Sequence, residues 1–290
     1  MLDSRSDLWA VVLAGGEADP QPRRLRQTLD RVARLIPPSR TVAVTPARQA
    51  AHAADALIGR PAITVLSEPC DRGSAAGVLL AAHWIRARAP AAVVAVFPTN
   101  DCIVEESVFM SHVAAAGAYV RRHPEWLLML GVHPSEPAPD PGRMESGGWL
   151  GPGGWIEPGE PVGWTGLGAV HRIRAVHTNP PAELARRLQG RALCNTCVFT
   201  ATVTALVGSG LACLPLLHDR LTRFDLFAGT RYETLALQQA YLFAPTADFS
   251  RVLASSDVPV AVAEIPVPTR WDLATPEPAA RGEVARGEVE

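Results

Sequence analysis

The sequence predicts an α/β fold, a mostly parallel sheet covered by helices on both faces. Two observations predict it. Through the first half, short wholly apolar runs alternate with segments of helical periodicity; strands buried on both faces read as such runs rather than as apolar/polar alternation. The order strand, helix, strand, helix is also the one that crossover connections in a parallel sheet require.

Trp9-Ala10-Val11-Val12-Leu13 is a buried strand that ends in glycines. Leu25, Leu29, Val32, Ala33, Leu35 and Ile36 recur at helical spacing and stop at Pro37-Pro38, since proline cannot continue a helix. Thr41–Val44 is the second strand, followed by an Ala-rich helix from Pro46 to about Ile58. Ala62–Leu66 and a helix from Ser74 to about Arg88 come next, then the strand Ala92–Phe97 and the helix Glu105–Arg122. Leu127–Val132 is a fifth strand. From Pro134 to Gly168 the composition shifts to Gly, Pro and Trp, which reads as loops and hairpins. A strand (Ala169–Val176), a helix (Ala182–Leu188), further helices (Leu214–Phe227, Glu233–Phe243) and a late strand (Val258–Ile265) follow. The end repeats Arg-Gly-Glu-Val twice with almost nothing to bury. The expected organisation is one domain over residues 1–278 and a disordered tail over 279–290.

Of the 290 residues, 27 are basic and 29 acidic, for a net charge of -2. So balanced a chain is expected to bind neither nucleic acid nor a membrane surface. All 27 basic residues are Arg and none is Lys, which excludes a Schiff-base Lys, a P-loop Lys and an ammonium general acid or base. The N-terminus carries both charge signs, and no stretch approaches the roughly 18 uninterrupted apolar residues of a membrane helix. The five cysteines are odd in number and scattered, which argues against a disulfide framework. The expectation is a soluble, cytoplasmic protein.

Ligands of such folds sit beyond the strands' C-terminal ends, and several segments there carry chemistry. Gly15-Gly16 after the first strand is a phosphate-approach turn or a plain strand-to-helix turn. Asp71-Arg72-Gly73-Ser74 opens a helix; its small residues suit a flat base, Arg72 suits oxygens, and Ser74 equally suits a helix cap. Thr99-Asn100-Asp101 offers a carboxylate for Mg²⁺, or an Asx turn. Cys194-Asn195-Thr196-Cys197 is a CxxC without a second pair or His partners nearby. Two ordinary thiols in a packed segment fit it better than a dithiol or metal centre.

Taken in order, these segments resemble bacterial mannose-1-phosphate guanylyltransferases, of the sugar-phosphate nucleotidyltransferase family. The likeness runs through Trp9–Gly16, Gln27–Arg31, Asp71–Gly77, Phe97–Asp101, Gly154–Gly159, Leu193–Thr196, Trp271-Asp272 and Thr275-Pro276. It implies a Rossmann-like, mixed but mainly parallel sheet of the nucleotide-diphospho-sugar transferase type. The implied reaction joins GTP to a sugar 1-phosphate, giving a GDP-sugar such as GDP-mannose and pyrophosphate, with Mg²⁺ as cofactor. The implied nucleotide site is Gly15, Gly16, Arg72, Gly73 and Ser74; the sugar site is Gly154, Glu157, Asn195 and Thr196; the metal ligands are Asp101 and Asp272.

The chain departs from the family pattern at charged positions. The family's glycine loop continues through Arg-Leu and later Pro-Lys-Gln; here Glu17–Leu25 is shorter and holds no Lys, so Arg23 or Arg24 would replace the lost cations. The family's Ser-Asp-His reads Thr99-Asn100-Asp101, and its Glu-Lys-Pro reads Thr178-Asn179-Pro180. The alternative function is therefore a catalytically inactive relative that binds a nucleotide, a nucleotide sugar or a protein partner.

Overall fold

The computed structural model describes residues 7–15, 22–99, 102–103, 105–133, 154–177, 181–188, 190–249, 253, 258–265 and 271–272. Gly16, Asn100, Asp101, Thr178-Asn179-Pro180 and the expected tail at 279–290 lie outside them.

The first half alternates as expected: β1 (Leu8–Leu13), α1 (Pro22–Ala33), β2 (Thr41–Pro46), α2 (Ala50–Leu57), β3 (Thr64–Glu68), α3 (Ser74–Arg86) and β4 (Val93–Pro98). Then come β5 (Cys102–Ile103), α4 (Glu106–Arg122) and β6 (Leu127–Val132). The second half contains β7 (Trp155–Trp164), β8 (Ala169–His177), α5 (Ala182–Leu188), β9 (Leu193–Thr202), α6 (Val203–Cys213), α7 (Pro215–Asp225) and α8 (Glu233–Leu242). It closes with β10 (Val260–Ile265) and β11 (Trp271–Asp272).

Among the described residues one sheet has nine strands in the order β3-β2-β1-β4-β9-β6-β10-β8-β7. Strands β1 to β4, β6, β7 and β10 run one way; only β8 and β9 run the other. The sheet is mixed and mainly parallel, the class the sequence predicts. β9 lies antiparallel between β4 and β6 and is buried along nearly its whole length.

The period-2 alternation of side chains splits each strand between two apolar layers. Ala10 and Val12 of β1, with Val93, Ala95 and Phe97 of β4, pack on α1 and α4. Val11, Leu13, Val94 and Val96 pack on the opposite side, against α3 and α6. Helix α3 is covered again on its outer face, where Ala76, Leu79 and Leu80 meet Leu217, Leu221 and Phe224 of α7 and Tyr241 of α8. That double burial explains why Ser74–Arg86 is apolar nearly all round. Leu79 and Leu80 are fully buried, each contributing about 1.5–3 kcal/mol. Gly210 lets α6 approach α3; a Cβ there would stand 2.8 Å from Leu79 Cδ2.

Besides the short strands β5 and β11, which the sequence reading did not draw, three elements differ from the sequence expectation. Trp155–Gly168 does form a hairpin arm, but a long one: β7 pairs with β8 through a turn in which Thr165 Oγ1 accepts from the N–H groups of Leu167 and Gly168. The CxxC segment is packed as expected, and it belongs to a central strand, β9, that the sequence reading did not draw. Helix α6 follows it directly, with the Thr202 hydroxyl accepting from Ala205 N at its N-cap.

Candidate functional site

Of the candidate residues, Gly15 follows the end of β1, and Asn195 and Thr196 lie near the start of β9. Ala14 N donates to Val44 O (2.7 Å), extending β1 alongside β2 into the glycine turn, where Gly15 is partly buried. Thr99 Oγ1 donates to Leu13 O (3.4 Å), fastening the end of β4 to the end of β1. Beyond Thr99, β5 pairs antiparallel with β11, and Asp272 stands opposite Cys102. This register brings Asp272, from the far end of the chain, beside the residue that follows Asp101.

Pro22 opens α1, a position where its missing N–H costs nothing. Arg23 is exposed and Arg24 partly buried on that first turn. Among the described residues neither has an ion pair or hydrogen bond.

The Asp71–Ser74 segment is tied to the chain beyond α8. Arg72 Nε and Nη2 donate to the carbonyls of Tyr241 (3.2 Å) and Leu242 (3.0 Å), at the electronegative end of α8. Asp71 accepts from Gly73 N and from Arg48. Gly73 has φ +78°, and Ala75 N donates to Ala247 O while Ala247 N donates to Arg72 O. Ser74 is fully buried; its Oγ accepts from Phe249 N (2.9 Å) and donates to Asp248 (3.5 Å). The Arg72 and Ser74 side chains are thus engaged by the scaffold. At the base of this loop lies Glu68, fully buried, accepting from Tyr241 Oη at 2.9 Å while its Oε2 has no partner. Burial pushes its carboxyl up to about 8, the Tyr241 hydrogen bond opposing and the Asp71 charge adding to the rise.

Gly154, Asn195 and Thr196 are joined by the backbone: Asn195 N donates to Gly154 O (2.8 Å), where β7 meets β9. Here β9 bulges. Its pairing with β6 jumps from Asn195–Gly131 to Phe199–Met129, and Cys197 takes a left-handed φ of +57°. The turn is held by side chains, since Asn195 Oδ1 accepts from Cys197 N and Thr196 Oγ1 donates to Leu130 O (2.7 Å). Bulges of this kind re-aim side chains near sites. Cys194 and Cys197 are buried free thiols, and burial pushes the Cys194 thiol up to about 12. At about pH 8 only about one Cys194 in ten thousand is thiolate. A thiol reagent is therefore expected to label exposed Cys70 and spare Cys194 until urea is added, as peptide mapping will show.

Glu157 stands apart on β7, where it pairs with His177 Nε2 (3.2 Å). It borders a cavity of about 170 Å³ also lined by Arg174, Arg187 and Arg191, three cations that the sequence reading did not single out. Their only signal was the density of Arg between residues 172 and 191. Also unforeseen is Glu264, which binds His133 and lies 3.6 Å from His171 Nε2. Among the described residues no group of three or more His, Cys, Asp or Glu is arranged to hold a metal, and no helix is long and apolar enough to cross a membrane.

No protein-family model and no curated protein matches the chain. Solved structures do. The mannose-1-phosphate geranyltransferase of Thermus thermophilus superposes with a TM-score of 0.73 at 23% identity, over 92% of this chain and 76% of that one. The mannose-6-phosphate isomerase of Helicobacter pylori gives 0.68 at 13% identity, over 91% and 99%. The chain therefore has the nucleotide-diphospho-sugar transferase-like α/β fold; likenesses this distant speak to fold alone.

Proposed function

We propose that this fold carries a nucleotidyltransferase site of the mannose-1-phosphate guanylyltransferase type, acting on GTP and a sugar 1-phosphate. The observation that carries the reading is the β5–β11 register, which sets Asp272 opposite Cys102. The register supports a shared role for Asp272 and the Asp101 segment, about 170 positions apart in sequence, because Cys102 directly follows Asp101.

Carboxylate oxygens are the donors that Mg²⁺ takes, so Asp101 and Asp272 suit that ion and would hold it. Bound there, Mg²⁺ supplies neutralisation of the α-phosphate charge. The protein's own part is positioning and electrostatics. Backbone N–H groups at Gly15 and Gly16 would bind the triphosphate, and Arg23 and Arg24, without a partner among the described residues, would neutralise it. A sugar-phosphate oxygen attacks the α-phosphorus, that P–O bond forms, the bond to the β-phosphate oxygen breaks, and pyrophosphate leaves. Glu157 would orient the sugar, while the buried Asn195 and Thr196 side chains hold the β9 bulge.

Pyrophosphate release from GTP, mannose 1-phosphate and Mg²⁺ is the test. Release is expected, and Asp272→Asn is expected to slow it at least about 100-fold. No release at high enzyme concentration overturns catalysis. The engagement of Arg72 with the end of α8, and of Ser74 with Phe249, favours a second reading, an inactive relative. Calorimetry showing GTP or GDP-mannose bound without turnover is its signature.

A further inference from the structure

The recess beside Glu157 is bordered by Arg174 of β8, Arg187 of α5 and Arg191 in the turn after α5, over an apolar floor of Leu184 and Leu188. Among the described residues none of the three guanidinium groups has an ion pair or hydrogen bond. The neighbouring Arg172 does have a partner, lying over the Trp126 ring. The recess's one carboxylate, Glu157, is already engaged by His177. Three cations held around one hollow against a single carboxylate, itself hydrogen-bonded to His177, leave a net positive field for an anion from outside. At about 170 Å³ the hollow is well below the roughly 300–1,000 Å³ of sites that enclose drug-sized ligands. It suits a phosphate group, not a nucleotide.

We propose that Arg174, Arg187 and Arg191 form the subsite for the phosphate of a sugar monophosphate, with Glu157 accepting hydrogen bonds from the sugar hydroxyls. The proposal rests on the transferase reading for the identity of the sugar phosphate. Guanidinium groups match phosphate oxygens in bidentate fashion, so a chain without lysine loses nothing in principle by using them.

Titration calorimetry on the full chain tests it with three probes: mannose 1-phosphate, inorganic phosphate and mannose. Mannose 1-phosphate and phosphate are expected to bind, more weakly as salt rises, and mannose not to bind. The Arg174→Ala/Arg187→Ala/Arg191→Ala variant is expected to lose at least about 10-fold in affinity for both anions. Arg223→Ala, whose arginine is exposed and paired with Asp219, is expected to lose none. Glu157→Gln is expected to weaken mannose 1-phosphate and leave phosphate unchanged. Because the three arginines are exposed, an unaltered melting temperature will show the triple variant folded. Unchanged mannose 1-phosphate affinity in that variant overturns the subsite. Binding that depends on the arginines but yields no pyrophosphate in the unmutated protein keeps the subsite and overturns guanylyl transfer. Turnover with an unchanged KM for mannose 1-phosphate in the triple variant does the reverse.

Discussion

Between about pH 5 and about pH 9 the protein is expected to lose up to about 5 kcal/mol of unfolding free energy that a Glu68→Gln variant keeps. The cause is the buried carboxyl at the end of β3, raised from 4.5 to about 8 chiefly by its removal from water. In the unfolded chain that carboxyl gives up its proton near 4.5; in the folded protein it holds it to about 8. Over that interval unfolding releases a proton, so rising pH favours the unfolded state. The contribution is complete below the unfolded value and is lost as pH passes through the folded one. Glutamine keeps the shape and a carbonyl oxygen for the Tyr241 hydroxyl, which lies 2.9 Å from Oε1, and cannot ionise. Urea unfolding at a series of pH values will give a falling profile for the unmutated protein and a flatter one for the variant. Parallel profiles would show that Glu68 does not hold its proton.

Gly73→Ala is expected to cost about 3–5 kcal/mol, or to prevent folding. Gly73 has φ +78° and ψ 175°, a conformation essentially confined to glycine. Strain is the smaller part. A Cβ at this position would stand 2.4 Å from the carbonyl oxygen of Ala247, whose backbone is itself pinned by a hydrogen bond to Arg72 O. Neither partner is a flexible side-chain tip. Gly208→Ala, where a Cβ meets nothing within 4 Å, is the matched comparison and is expected to be neutral or slightly stabilising. Equal melting temperatures for the two variants would sink the account.

Strands β1, β2, β4 and β6 were legible because each is buried on both faces and announces itself as a largely apolar run, and the half-exposed edge strand β3 by its Ile63–Leu66 stretch. Helices α1, α3 and α4 were legible from their spacing and from Pro37-Pro38. β9 was not. Its first residues, Leu193 to Cys197, carry the bulge that breaks regular pairing. Polar Asn195 and Thr196 are buried there because their side chains satisfy the kinked backbone. Nothing local in Cys-Asn-Thr-Cys says that both neighbours are strands formed more than 60 residues earlier. β7 hid for another reason: Gly and Pro in Trp155–Trp164 mark bulges in its pairing with β8, and such residues ordinarily signal loops. At the site, residue types were legible and their engagements were not. Arg72 reads as a free cation in sequence, but the carbonyls that hold it belong to residues 241 and 242. The recess arginines went unnoticed because they meet only when β8 and α5 fold together.

The place of β9 also orders assembly in time. During synthesis β1 to β4 and β6 emerge first, yet β4 and β6 never pair with each other, because the strand that joins them comes after residue 190. Until Leu193–Thr202 arrives, each presents an unpaired edge of wholly apolar sequence, the kind of surface that recruits other chains. Closing the sheet therefore waits on a contact of long sequence separation, which makes folding slow relative to the local helices. A ribosome stalled before residue 202 would hold the β3-β2-β1-β4 half-sheet and a lone β6, whose other neighbour, β10, comes later still.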